Sequence, residues 1–515
     1  MSLLGLAGSP IPRTARQFFF GQGSSTGASG SREVVIVANK TSAGTLAVET
    51  LSDYVTSQTD VDTLTGARSE ARWMYFAFNL GNQTARVRIM LIAENASATA
   101  STVTFTFVTA ADDATDLRID WGGLRTSVPV AAGELAVNQA ANAQAAIAAD
   151  LNLPFTAAVG GVGSEHILTV TTAPKGPRSA HILGALRFTH AKSVATVITK
   201  SAVSAGTGAD DNTLALAALE SAEIYYHAAA CTASSGVTTT DSSVGEYIQY
   251  IRTQNQPVNA KDQIVVFGLD CSASAATSVA TSAAANSVFA KFPWVQNNDW
   301  FPGMIAAHYC GILQLQEDVY AGFNFADYTN TDSTPFAIPD PIAKGDRPTT
   351  TEITTALNNG FIPIGFRSNG QSYVVRDITS SNFSGSSTTK DYRARPGHIP
   401  SVIFAFWAEL RQRHLASKQP NIAADPPAGV RPEPGFTYPG AVASRIRALI
   451  ADFSTSNNFA HQDGKALLDP SVIDEMNASV SVVALAAGFE ASATPQPVRH
   501  DYFDDFKINQ AGPAY

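Results

Sequence analysis

The residues of this 515-residue chain that could do chemistry are few and widely spaced. Gly23-Ser24-Ser25-Thr26-Gly27 matches the G-x-S-x-G pattern, in which a strained turn between a strand and a helix presents a serine nucleophile. Here the pentapeptide sits in a Gly/Ser-rich stretch and a strand-like run follows it, so a flexible linker is the better reading. His227 with Cys231, and His308 with Cys310, offer two donors each, fewer than the three or four that zinc takes from a protein. Asp112-Asp113 and Asp504-Asp505 are adjacent carboxylates, but acid-base work needs carboxylates facing each other across a cleft, so solvated charge is favoured. Asn39, Asn82 and Asn95 begin N-x-S/T sequons that carry no weight without a secretory leader. No phosphate-binding loop, dinucleotide fingerprint, H-E-x-x-H motif or EF-hand loop is present. The expectation is a non-enzyme without cofactor, metal site or catalytic residue.

Composition bounds the elements that position these residues. The length exceeds what one hydrophobic core usually supports, so two to four domains are expected. Apolar residues make up 45% of the chain and charged residues 15%, which disfavours disorder and coiled coil and leaves a surface poor in charge. A formal net charge of -10 has the wrong sign for a dedicated binder of nucleic acid or anionic membrane. Three cysteines, Cys231, Cys271 and Cys310, cannot build a disulfide framework and fit a reducing compartment. The N-terminus lacks the basic segment of a signal peptide, and no apolar run approaches a membrane span.

Along the chain, residues 1–32 read as an arm and Gly/Ser linker whose Phe18, Phe19 and Phe20 need a surface to cover them. Residues 33–98 form the first part of an α/β domain. Val34 to Ala38 is a continuous apolar run typical of a strand buried on both faces, a helix follows around 65–79, and Arg86 to Ala93 completes a βαβ unit. Residues 99–207 change to strict alternation, as in Thr102 to Phe107 and His166 to Thr171, and read as a β-rich insertion with one Ala-rich helix from Leu135 to Leu151. The α/β domain resumes over 208–350. A further domain is expected over 351–493, with helices at Ser401 to His414 and Ala441 to Phe453. In the second helix Val442, Ile446, Leu449, Ile450 and Phe453 make an apolar stripe that leaves Arg445 and Arg447 elsewhere on the wheel. Residues 494–515 read as a second arm in which Tyr502, Phe503, Phe506 and Ile508 alternate with polar residues.

The order of these segments resembles contractile tail sheath proteins, in layout those of Mu-like phages. The stretches that carry the resemblance are EVVIVA after a Pro-containing arm, AGELAVNQAANAQAAIAADLNLPFTAAVGG, HILTVTTAPKGP, LNNGFIPIGFRSNGQSYVVRDITSS, VIFAFWAELRQRHLASKQPN and AVASRIRALI. They spread over nearly the whole chain. Ser380 and Ser381 depart from the Thr and Tyr usual after Arg376 to Thr379, and the C-terminal tail is long. The resemblance implies an α/β and α+β multidomain fold: an inner sheath domain facing a tail tube, a β-rich outer insertion, and two extended arms that link subunits. It further implies a helical homopolymer in the virion tail, assembled in the bacterial cytoplasm, with the tail tube protein, baseplate and tail terminator as partners and without direct contact to nucleic acid or membrane. Arg445 and Arg447 would then bear on the tube. An α/β hydrolase-like enzyme and a non-contractile shell or surface-lattice protein are the alternatives.

Overall fold

A computed structural model describes residues 33–41, 43–81, 87–192, 197–208, 212–229, 242–255, 261–282, 286–316, 336–382, 397, 399–417, 421–455, 468, 470–485 and 488–493. Both arms, with Phe18 to Phe20, Tyr502, Phe503, Phe506 and Ile508, lie outside these residues, as do Gly23 to Gly27, Asn82, Cys231 and Asp504-Asp505. The fold is mixed α/β with several sheets, and it divides into two compact units, one up to Pro400 and one from Ser401.

The larger unit is built on a parallel sheet of β1 (Val34–Ala38), β2 (Val87–Leu91), β10 (Tyr226–Ala229), β11 (Ile264–Phe267) and β13 (Ala290–Lys291), in the order β13-β11-β10-β1-β2. The apolar run at Val34 to Ala38 becomes its centre, and every residue of β1, β10 and β11 is buried. Between β1 and β2 run α1 (Gln58–Thr65) and α2 (Glu70–Gly81). Ser57 caps α1 in a capping box with Asp60, which fixes where the helix starts. The helix expected around 65–79 is α2, which starts at Glu70, and a separate helix, α1, precedes it and ends at Gly66, whose φ of 88° suits glycine.

Residues 100–200 leave this sheet and return. They form β3 (Ala100–Phe107), β4 (Thr115–Trp121), β5 (Leu124–Val130), α3 (Ala136–Ala149), β6 (Phe155–Val159), β7 (Ile167–Lys175), α4 (Ala180–Gly184), β8 (Arg187–His190) and β9 (Ile198–Lys200). These make two antiparallel sheets, β6-β7-β3-β9 and β5-β4-β8. β3 and β7 alternate half-buried and buried residues, as a sheet packed on one face must. Phe105 and Phe107 of β3 meet Phe188 of β8 at 4.4 and 6.2 Å between ring centres, so the two sheets share one apolar filling. Trp121 joins this region to the parallel-sheet domain: its ring lies 4.7 Å from Trp73 of α2 and stacks at 6.4 Å on Phe301.

After the insertion come α5 (Thr213–Leu219), α6 (Ser242–Gln254), β12 (Leu269–Asp270), α7 (Ala273–Ala280), β14 (Pro293–Val295) and α8 (Pro302–Gln316). Helix α8 packs closely on α2 because Gly303 and Gly311 let it: a methyl group at Gly311 would lie 2.8 Å from the Phe78 carbonyl. The chain then adds α9 (Thr350–Asn359), β15 (Ile362–Phe366) and β16 (Ser372–Val374). The domain boundary expected between 350 and 351 therefore falls inside the larger unit. The cause is a strand pairing that periodicity does not reveal: β15 lies parallel to β14, with Pro293 opposite Ile362, in the sheet β12-β14-β15-β16.

The second unit contains most of α10 (Ile399–Ser417), then β17 (Asn421–Ile422), β18 (Phe436–Thr437), α11 (Pro439–Ser454), α12 (Ile473–Ala478), β19 (Ser481–Leu485) and β20 (Gly488–Ser492). The stripe Val442, Ile446, Leu449, Ile450 and Phe453 of α11 is buried, and Phe453 meets Phe406 of α10 edge-on at 5.4 Å. β19 and β20 form a two-stranded antiparallel sheet against α11.

Candidate functional site

In a doubly wound sheet, ligands bind at the carboxyl ends of the strands where the order reverses. Here that point lies between β1 and β10, since the chain proceeds from β1 to β2 on one side and from β10 to β11 on the other. At the carboxyl end of β1, Asn39 is buried and its backbone N–H donates to Glu70 Oε1 at 2.7 Å. Glu70 opens α2, where a carboxylate is favoured by the helix dipole, and it pairs with Arg178 of the insertion at 2.9 Å. Both side chains are 4% exposed or less. The place where a phosphate would sit in a nucleotide-binding fold thus holds the protein's own carboxylate, already neutralised by its own arginine. This arrangement clamps the insertion to the sheet. The sequon at Asn39 is sealed inside it.

Two histidines, His227 and His308, serve the framework. His227 on β10 is fully buried, with Nδ1 3.0 Å from the Tyr247 hydroxyl of α6, and desolvation pushes it down to about 3, with Lys261 adding to the effect. It is neutral at any physiological pH. His308 on α8 has Nδ1 2.9 Å from the Ala77 carbonyl, while the Ala337 N–H donates to Nε2 at 3.1 Å. A carbonyl only accepts and an amide N–H only donates, so the proton sits on Nδ1. Burial lowers this group to about 4. Cys310 is two residues further on the same helix, on the opposite side of the wheel, and burial pushes its thiol well up. The pair is neither a metal site nor a nucleophile and base. Among the described residues, no group of three or more His, Cys, Asp or Glu converges as a metal site would require.

The acidic pair is a surface turn. Asp113 Oδ1 accepts from the Ala114 N–H at 2.8 Å, and Lys192 stands 4.0 Å away with both side chains well exposed. Asn95 likewise closes its own turn, accepting from the Ser97 N–H at 2.9 Å. No protein-family model matches the chain, and no curated protein does.

Arg445 and Arg447 are both on α11, off its apolar stripe. Arg445 is half-buried, which pulls its guanidinium down somewhat. Arg447 is exposed, and its Nε donates to the Asn477 carbonyl at 3.4 Å, tying α11 to the end of α12. Arg413 of α10 holds Glu409 at 2.8 Å and also bonds to Asp452 of α11.

One buried cluster has no local signature in the sequence. Lys291 of β13 and Asp377 are each 1% exposed, with Nζ 2.7 Å from Oδ2, and the Tyr309 hydroxyl of α8 donates to Asp377 Oδ1 at 2.6 Å. Asp377 belongs to the stretch Arg376 to Thr379, but its partners are 86 and 68 residues away and no spacing rule connects them.

Proposed function

We propose that this chain is the subunit of a contractile tail sheath, polymerising helically around a tail tube and contracting to drive the tube through a target cell envelope. The inner domain would lie in the C-terminal part and the β-rich insertion outside. The observation that best supports this is the β19–β20 sheet. It has two strands among the described residues, and two strands alone are marginally stable in water. Its outer edges present backbone donors and acceptors, a template for strands from another chain. The C-terminal arm begins two residues after β20, and the N-terminal arm supplies 32 residues before Glu33. Arms that add strands to a neighbour's sheet would join all subunits by backbone hydrogen bonds while their bodies rotate. Tyr502, Phe506 and Ile508 would share one face of such a strand, with Phe503 on the other, and Phe18 to Phe20 would bury against a neighbour. Among the described residues, His227 and His308 are held in structural contacts, which weighs against either serving a hydrolase as its base.

The test is electron microscopy of the concentrated full-length protein beside a chain lacking residues 1–24 and a Val482→Pro variant that breaks the β19 edge. Hollow tubes lost in both variants, with far-ultraviolet circular dichroism unchanged, are expected. Discrete particles from the full-length chain, even with the tube protein co-expressed, would overturn the reading, and flat or closed lattices would favour a shell protein. For Arg445 and Arg447, substitution of both by Glu should abolish tube binding. Unchanged binding would remove them from that contact.

A further inference from the structure

Lys291, Asp377 and Tyr309 meet inside the larger unit in a geometry that brings an amine and a carboxyl carbon together away from water. A buried ion pair loses the hydration of both charges, and its Coulomb attraction recovers that cost only with good geometry. Condensation to an amide replaces two desolvated charges by one neutral group and sends the water to bulk. The reactants are already held: Nζ is 2.7 Å from Oδ2, and both side chains are sealed from solvent. Holding two reacting groups at such separation replaces a bimolecular encounter by a unimolecular step. Tyr309 donates at 2.6 Å to Oδ1, the oxygen that would remain as the amide carbonyl, and so would stabilise charge that develops there.

We propose that Lys291 Nζ and Asp377 Cγ join in an intramolecular isopeptide bond. Proton transfer within the pair gives the free amine and the carboxylic acid. The nitrogen rotates out of the carboxylate plane and attacks Cγ, forming the N–C bond. A nitrogen proton passes to Oδ2, the Cγ–Oδ2 bond breaks, and one water leaves. Ammonium plus carboxylate becomes amide plus water, with no oxidant, metal or cofactor.

The surroundings give the bond a task. Asp377 also accepts from the Gly397 N–H at its backbone carbonyl, 3.1 Å, and a methyl group at Gly397 would overlap the Asp377 carboxylate. Ser380 donates its N–H to the Ala290 carbonyl at 2.9 Å, beside Lys291. The linkage would therefore fasten the edge strand β13 to the segment that holds the chain just before Ser401, where the second unit begins. This inference does not rest on the sheath reading.

Intact mass spectrometry of the denatured full-length protein tests it directly. A mass lower than the sequence mass by one water, with a branched peptide joining Lys291 to Asp377 after proteolysis, is expected. Lys291→Arg, which keeps the ion pair but cannot form the amide, should restore the full mass. Tyr309→Phe should slow formation about a hundredfold, leaving freshly made protein unlinked. The full sequence mass in the wild-type protein, with separate Lys291 and Asp377 peptides after prolonged incubation, would overturn the proposal whatever the variants do.

Discussion

The parallel sheet hides every residue of β1, β10 and β11, whereas β3 and β7 of the inserted region hide alternate residues. The first pattern belongs to strands covered on both faces, and it leaves no sheet surface for a partner. The second leaves a face in water. The parallel sheet is thus a closed foundation, whereas the inserted strands β3 and β7 keep one face half exposed. Between foundation and insertion the seam is charged as well as aromatic, with Glu70 facing Arg178 and Asp299 facing Arg187 at 2.6 Å.

The largest effect is expected at that seam. Arg178→Met leaves Glu70 charged, desolvated and without its guanidinium, and should cost about 3–5 kcal/mol in urea unfolding. Adding Glu70→Gln should recover much of it, and a single variant near wild type would show the seam to be wetter than its burial implies. Next, Ile36→Ala in β1 should cost about 2–5 kcal/mol because the cavity it leaves is enclosed on both faces. Thr104→Val on the half-buried face of β3 should move stability by less than about 1 kcal/mol. Equal costs at the two positions would dissolve the distinction between the sheets.

A smaller effect is expected with pH. Asp270 keeps a little solvent contact, yet protein crowds it on nearly every side, and this desolvation, with Asp299 adding to it, pushes its carboxyl up to about 7 against the bonds from the Asn297 and Asn298 backbone. Burial raises Asp299 as well, with Arg187 opposing. A carboxyl with a raised folded value holds its proton more tightly in the native state. Stability should therefore rise as pH falls from 8 through 7 and level off near the unfolded value of about 4. Asp270→Asn should flatten the profile, and a wild-type profile already flat from pH 5 to 8 would remove Asp270 from the account. The smallest effect is at Asp113: Asp113→Asn breaks an exposed 4.0 Å pairing with Lys192 and should change stability by less than about 0.5 kcal/mol.

How much of this was legible follows from the range of the interactions. Val34 to Ala38 and the stripe on α11 announce themselves locally, since burial of a whole strand or one helix face leaves its period in the sequence. Helix α8 does not: it is buried nearly all round, so Met304, Ile305, Ile312 and Leu313 show no single face against solvent. The hairpin between β4 and β5 carries a readable signal, Gly122-Gly123 between two alternating runs, with φ of 63° and 80°. The pairs Glu70–Arg178 and Lys291–Asp377 could not be read, because each joins segments roughly a hundred residues apart that only the fold brings together. For the same reason Arg445 and Arg447 could be placed on a helix by their spacing, while the bond from Arg447 to Asn477 could not.

His308 carries a consequence for observing the molecule at work. Its Nδ1 proton is locked between α8 and the end of α2, away from solvent, while Nε2 is held by Ala337. A ring proton in such a position exchanges with water only when the two helices part. It is a natural isotope clock: the rate at which that one imidazole signal fades in heavy water reports how often the joint between α2 and α8 breathes, without any label attached to the protein.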